Sequence, residues 1–98
     1  MKYNFQPINF NPSLNLKNLI KKRINKLGLF YDKILSIKVY AKEKSYSNLN
    51  KEIEFIISVP GDQLVVKKRS NSFEFSLYSV STSVERLLKK HNDKTRSN

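Results

Sequence analysis

Between Leu27 and Ile37 the spacing of apolar residues changes, and this change constrains the fold more than any other feature of the chain. Before it, Leu16, Leu19, Ile20, Ile24, Leu27 and Tyr31 recur at intervals of three and four, the signature of one buried helix face. After it, Ile37, Val39 and Ala41 alternate with Lys38, Tyr40 and Lys42, as in a half-buried strand. The junction, Lys26-Leu27-Gly28-Leu29-Phe30-Tyr31-Asp32-Lys33-Ile34, therefore joins a basic helix to a strand through an aromatic pair and an acid. A one-sided helix and a one-sided strand must cover each other, which requires a layer of helices on a sheet.

The remaining elements follow the same reasoning. Tyr3, Phe5 and Ile8 predict a first strand over about 2–9, with Pro7 marking an edge or an early bend. Asn11-Pro12-Ser13 reads as a helix start capped by Ser13, and Gly28 stands where that helix is expected to stop. Residues 44–51 are polar and aperiodic, an exposed connection to a third strand with Ile53, Phe55, Ile57 and Val59 inward. Pro60-Gly61-Asp62 turns the chain into a fourth strand, where Leu64, Val66 and Lys68 alternate with Val65, Lys67 and Arg69. Phe73 to Leu77 alternates locally like a strand, and Ser79 to Ser83 is poor helix material. The longer stripe of Phe73, Leu77, Val80, Val84, Leu87 and Leu88 nevertheless predicts a helix over about 73–91. The sum is an α+β fold of order β-α-β-β-β-α, a two-layer sandwich whose four-stranded sheet carries both helices on one face. Residues 1–92 form the expected domain and 93–98 a short polar tail.

Charge narrows the function. Nineteen Lys and Arg stand against eight Asp and Glu, a formal net charge of +11 in 98 residues, so a polyanionic partner is expected. The cations gather off the helix stripes, at Lys17, Lys21, Lys22, Arg23 and Lys26 and again at Arg86, Lys89, Lys90 and Lys94, whereas Glu43, Glu52 and Glu54 fall around the connection between the second and third strands. There is no cysteine, which removes disulfides, thiolate metal sites and cysteine nucleophiles. Neither a signal-peptide pattern nor a run of membrane-spanning length is present, and a cytoplasmic protein without membrane partners is expected.

Catalysis finds no support. Glu52 and Glu54 share a strand face and Asp62 sits beside a turn, but no nucleophile, phosphate-binding glycine loop or metal-ligand spacing converges on them. The chain reads as a non-enzyme with no cofactor, metal or small-molecule substrate. Phe30 and Tyr31 have the chemistry to stack on bases, but the expected role of both is core packing, and Asp32 is expected to tie down the turn. His91, placed in the last helical turn, suits the negative end of the helix dipole and could reach phosphate. Tyr40 and Ile56 face away from the helices, a partly apolar outer surface that a soluble domain tolerates.

Three segments carry a family resemblance: Lys26-Leu27 followed after two residues by Phe30-Tyr31-Asp32-Lys33-Ile34, then Val59-Pro60-Gly61-Asp62, then Arg86-Leu87-Leu88-Lys89-Lys90-His91 with Asp93-Lys94. In their order and spacing, over nearly the whole chain, they resemble the bacterial ribosome hibernation promoting factors, also called ribosome-associated translation inhibitors, in their short form. The resemblance implies binding to the small ribosomal subunit in the channel between head and body, in competition with mRNA and tRNA, so that inactive ribosomes are stored under stress and in stationary phase. It implies rRNA contacts from Arg23, Lys26, Lys33, Arg86, Lys90 and Lys94, to which Lys22 and Lys89 are added as neighbours on the same helices. The chain departs from the family pattern at Ser76 and Tyr78, where small residues and an acid are usual, and at Ser83, a commonly basic position. Two other readings fit the same composition: a general double-stranded-RNA-binding domain, and a protein-interaction module that uses the outer sheet face.

Overall fold

The computed structural model describes residues 1–44 and 48–96, with side chains through Asp93. Its elements are β1 (Lys2–Ile8), α1 (Leu14–Phe30), β2 (Ser36–Glu43), β3 (Lys51–Val59), β4 (Asp62–Ser70) and α2 (Phe73–Arg96), in the predicted order. Ser13 caps α1 as expected, its hydroxyl accepting the Leu16 N–H at 3.1 Å. The helix does not stop at Gly28. It continues to Phe30 and ends where Tyr31 turns to extended backbone while its N–H still reaches the Leu27 carbonyl at 3.0 Å. Nothing at Gly28 calls for a left-handed conformation, and its bare Cα instead lets Met1 approach: a Cβ there would lie 3.2 Å from the Met1 methyl.

In the sheet, spatial order equals chain order, β1-β2-β3-β4. β1 runs parallel to β2, with Phe5 opposite Val39, and the other two pairs are antiparallel, with Val39 opposite Phe55 and Phe55 opposite Val66. This register puts Ile37, Val39, Ala41, Ile53, Phe55, Ile57, Val59 and Val66 on the inner face, all of them buried. Leu16, Ile20, Ile24, Leu27 and Tyr31 of α1 and its cap, with Leu77, Val80, Val84 and Leu88 of α2, close the same core from above. The turn into β4 uses Gly61 at φ 77°, a conformation that a side chain would strain.

α2 overcomes its weak local propensity by burying Leu77, Val80, Val84 and Leu88, and its hydroxyls are bonded locally. Ser72 caps the first turn by accepting the Phe75 N–H at 3.1 Å, while Ser81 and Thr82 donate back to the carbonyls of Leu77 and Tyr78 at 2.7 and 3.0 Å. Phe10 stacks on Phe73 with ring centroids 4.7 Å apart, pinning the loop before α1 to the start of α2. The helix extends to Arg96, beyond the predicted end at 91, so the polar tail expected from Asp93 is largely helical. With neither Gly nor Pro after residue 61, nothing in the sequence halts the run of backbone bonds sooner. Residues 97 and 98 of that expected tail, and residues 45–47 of the predicted connection, lie outside the described residues.

Candidate nucleic-acid interface

Among the described residues, the acid of each ion pair stands on the sheet. Glu54 meets Lys67 at 4.0 Å, Glu52 meets Lys44 at 3.7 Å and Glu43 meets Lys51, while Asp62 Oδ2 lies 3.8 Å from His91 Nδ1, a contact that is an ion pair only when the imidazole is protonated. Such surface pairs each contribute only about 0–1 kcal/mol, but they cancel charge where they form. The helix layer is different. α1 contains Lys17, Lys21, Lys22, Arg23 and Lys26 and no acid, and among the described residues none of these, nor Lys33, Arg86, Lys89 or Lys90, is in an ion pair.

The predicted contact residues fall into three neighbouring groups. Lys22, Arg23 and Lys26 line a shallow hollow on α1 with Leu19, Asn25 and Leu29. Lys89 lines a second cleft, between the helices, with Leu27, Phe30, Tyr31 and Glu85. Arg86 lies on a third groove, between α2 and β4, and Lys90 is exposed on the same helix. Lys33 is exposed in the turn after α1. Lys94 belongs to α2 by its backbone, and its side chain is outside the described residues. Arg23 is the half-buried member: its guanidinium stands 5.6 Å over the Tyr78 ring and ties the two helices together.

Three expectations change. Tyr31 is buried as predicted, but Phe30 is 71% exposed, because α1 runs two residues further than expected and presents that residue beyond the edge of its buried stripe. His91 is not in the last helical turn, since α2 continues past it. It is half-buried, faces the Asp62 carboxylate, and its ring lies 6.3 Å from that of Tyr31. Lys68, expected only as an alternating residue of the fourth strand, joins Arg86 in the α2–β4 groove. Its signal was in the alternation: Lys68 occupies an inward position opposite Ile53, where a lysine is out of place unless the strand edge opens to solvent. Burial of the Tyr31 phenol, with the adjacent Asp32 carboxylate, raises its pKa above the ordinary 10.0.

Glu52 and Glu54, the carboxylates considered for chemistry, are both occupied by lysines. Among the described residues no group of three or more His, Cys, Asp or Glu could hold a metal ion, and no helix is long and apolar enough to cross a membrane.

The model of the sigma 54 modulation protein / S30EA ribosomal protein family matches residues 3–96. The chain belongs to that family. It is the hibernation-factor family that the three sequence segments resemble, and its members are ribosome-associated factors, not enzymes. Two solved structures share the fold. A ribosomal subunit interface protein from Coxiella burnetii superposes with a TM-score of 0.81 at 16% identity, over 95% of this chain and 99% of that one. The N-terminal domain of Thermus thermophilus Protein Y superposes with a TM-score of 0.74 at 17% identity, over 92% and 94% of the two chains.

Proposed function

We propose that this protein is a ribosome hibernation factor, which binds the small ribosomal subunit in the mRNA and tRNA decoding channel through its helix layer and blocks translation sterically. The carrying observation is the division of charge: Glu43, Glu52 and Glu54 of the sheet are each met by a lysine, while among the described residues the Lys and Arg side chains of α1 and α2 are in no ion pair, on a domain of a ribosomal-protein family. Lys22, Arg23, Lys26, Lys33, Arg86, Lys89, Lys90 and Lys94 supply the phosphate contacts. These position the domain, and the shape of the RNA cleft, not base sequence, selects the site. The protein acts in the cytoplasm, where its ribosomes are, and stores them inactive.

Sedimentation with vacant ribosomes and with separated subunits tests this reading. The expected result is co-sedimentation with the small subunit and the intact ribosome, competitively displaced by mRNA with initiator tRNA. Failure to co-sediment, with retention on plain duplex RNA, would instead make this a general double-stranded-RNA-binding domain.

A further inference from the structure

Phe75 and Tyr78 are large aromatic residues with no place in the core: they are 61% and 55% exposed on α2. They sit on the wall of the α2–β4 groove, about 280 Å³ in volume, with Lys68, Thr82, Ser83 and Arg86. The lining holds two cations, hydroxyl groups and two π-faces, and it holds no acid. Those are the parts needed to grip a phosphate and stack a base at once. Arg23 stands over the Tyr78 ring from α1, so that ring is already oriented and loses less freedom when something packs on it. Thr82 donates its proton to the Tyr78 carbonyl, so toward a ligand its oxygen can act only as an acceptor.

We infer that the α2–β4 groove is a binding site for one unpaired nucleotide of single-stranded RNA, with its phosphate on Lys68 and Arg86 and its base stacked on Phe75 and Tyr78. This deepens the proposed function and rests on it for the source of the RNA, but the groove's chemistry stands on its own lining. A duplex does not fit this role, since its bases are stacked on one another and offer no free face. An apolar peptide segment would leave both cations without a use.

The test uses fluorescence anisotropy at one fixed salt concentration, with a labelled eight-nucleotide single-stranded RNA and a chain of the same backbone lacking bases. The natural chain should bind the intact protein about fivefold to a hundredfold more tightly than the abasic one. Tyr78→Ala combined with Phe75→Ala should abolish that preference, Tyr78→Phe should keep it, and Lys68→Ala should weaken both chains equally. Circular dichroism of each variant reports folding, which these exposed positions should not alter. Equal binding of the two chains by the unaltered protein, or a preference that survives the double alanine variant, would overturn the site. Ribosome sedimentation run in parallel separates the two ideas: base preference without ribosome binding supports the nucleotide site and removes the ribosome as its source, whereas ribosome binding without base preference overturns the site alone.

Discussion

The hydroxyl of Ser76 donates to the backbone carbonyl of Lys51 at 2.7 Å, joining the first turn of α2 to the first residue of β3. Ser76 is fully buried and lies 2.7 Å from the Ser70 hydroxyl at the end of β4, which in turn accepts the Ser72 N–H at 3.2 Å. A short chain of bonds thus fixes where the helix meets the sheet. Ser76→Ala should cost about 0.5–1.5 kcal/mol, because the part-buried Lys51 carbonyl loses the hydroxyl's hydrogen bond while the Ser70 hydroxyl keeps its two bonds to Ser72. Urea unfolding followed by circular dichroism checks this, and an unchanged midpoint would show that the chain of bonds adds nothing.

The adjacent aromatics of the first junction should behave oppositely. Tyr31 is buried in the core and Phe30 is exposed, so Phe30→Ser should change stability by no more than about 0.5 kcal/mol, while Leu27→Ala, one turn earlier on the buried stripe, should cost about 2–5 kcal/mol. Thermal melts of the two variants decide it.

Ribosome binding should depend on which layer loses charge. Lys26→Glu with Arg86→Glu should abolish co-sedimentation, whereas Lys38→Glu with Arg69→Glu, an equal change of charge on the outer sheet face, should leave most of it. Equal loss from both pairs would point to bulk charge instead of an oriented surface.

Salt provides an independent measure of the same surface. With about five phosphate contacts and the slope typical of single strands, a fourfold rise in salt should weaken ribosome binding roughly a hundredfold. A titration from low to high salt that leaves affinity flat is incompatible with a phosphate-led mechanism.

Alkaline pH should act through Tyr31. Its pKa is raised in the folded protein by burial and by Asp32, so the folded state holds this proton more tightly than the unfolded chain does. The associated stability is fully present below about pH 10 and is lost as pH rises through the folded value. Denaturation curves collected at increasing alkaline pH should therefore fall less steeply for Tyr31→Phe than for the unaltered protein.

The elements were legible because the two periods are strong. Each stripe residue named for α1 and each inward residue named for β2 and β3 is buried or packs on the core. The reading was weaker at boundaries, where local signals compete: Gly28 looks like a helix stop but fits inside a helix, and the polar run after His91 has no helix breaker. The candidate surface was legible as charge, not as geometry. Nothing in the spacing of Lys68 and Arg86 along the chain says that they share a groove, since only the packing of α2 against the edge strand brings them together. The aromatic wall of that groove was hidden for a related reason. Phe75 and Tyr78 fall off the predicted α2 stripe, but that they face Lys68 of β4 emerges only once the helix is packed on the sheet.

Because strand order in the sheet equals strand order in the chain, no strand must later be threaded between two already paired. The sheet can therefore be laid down in the direction of synthesis, each new strand joining an open edge, with the crossover through α1 as its only long step. The exception is the lid. α2 is made after all four strands, and until it docks, Phe55, Ile57 and Val66 have no cover from that side. The docking of α2 thus decides whether a nascent copy becomes a folded domain or remains a sheet with one oily face open to aggregation.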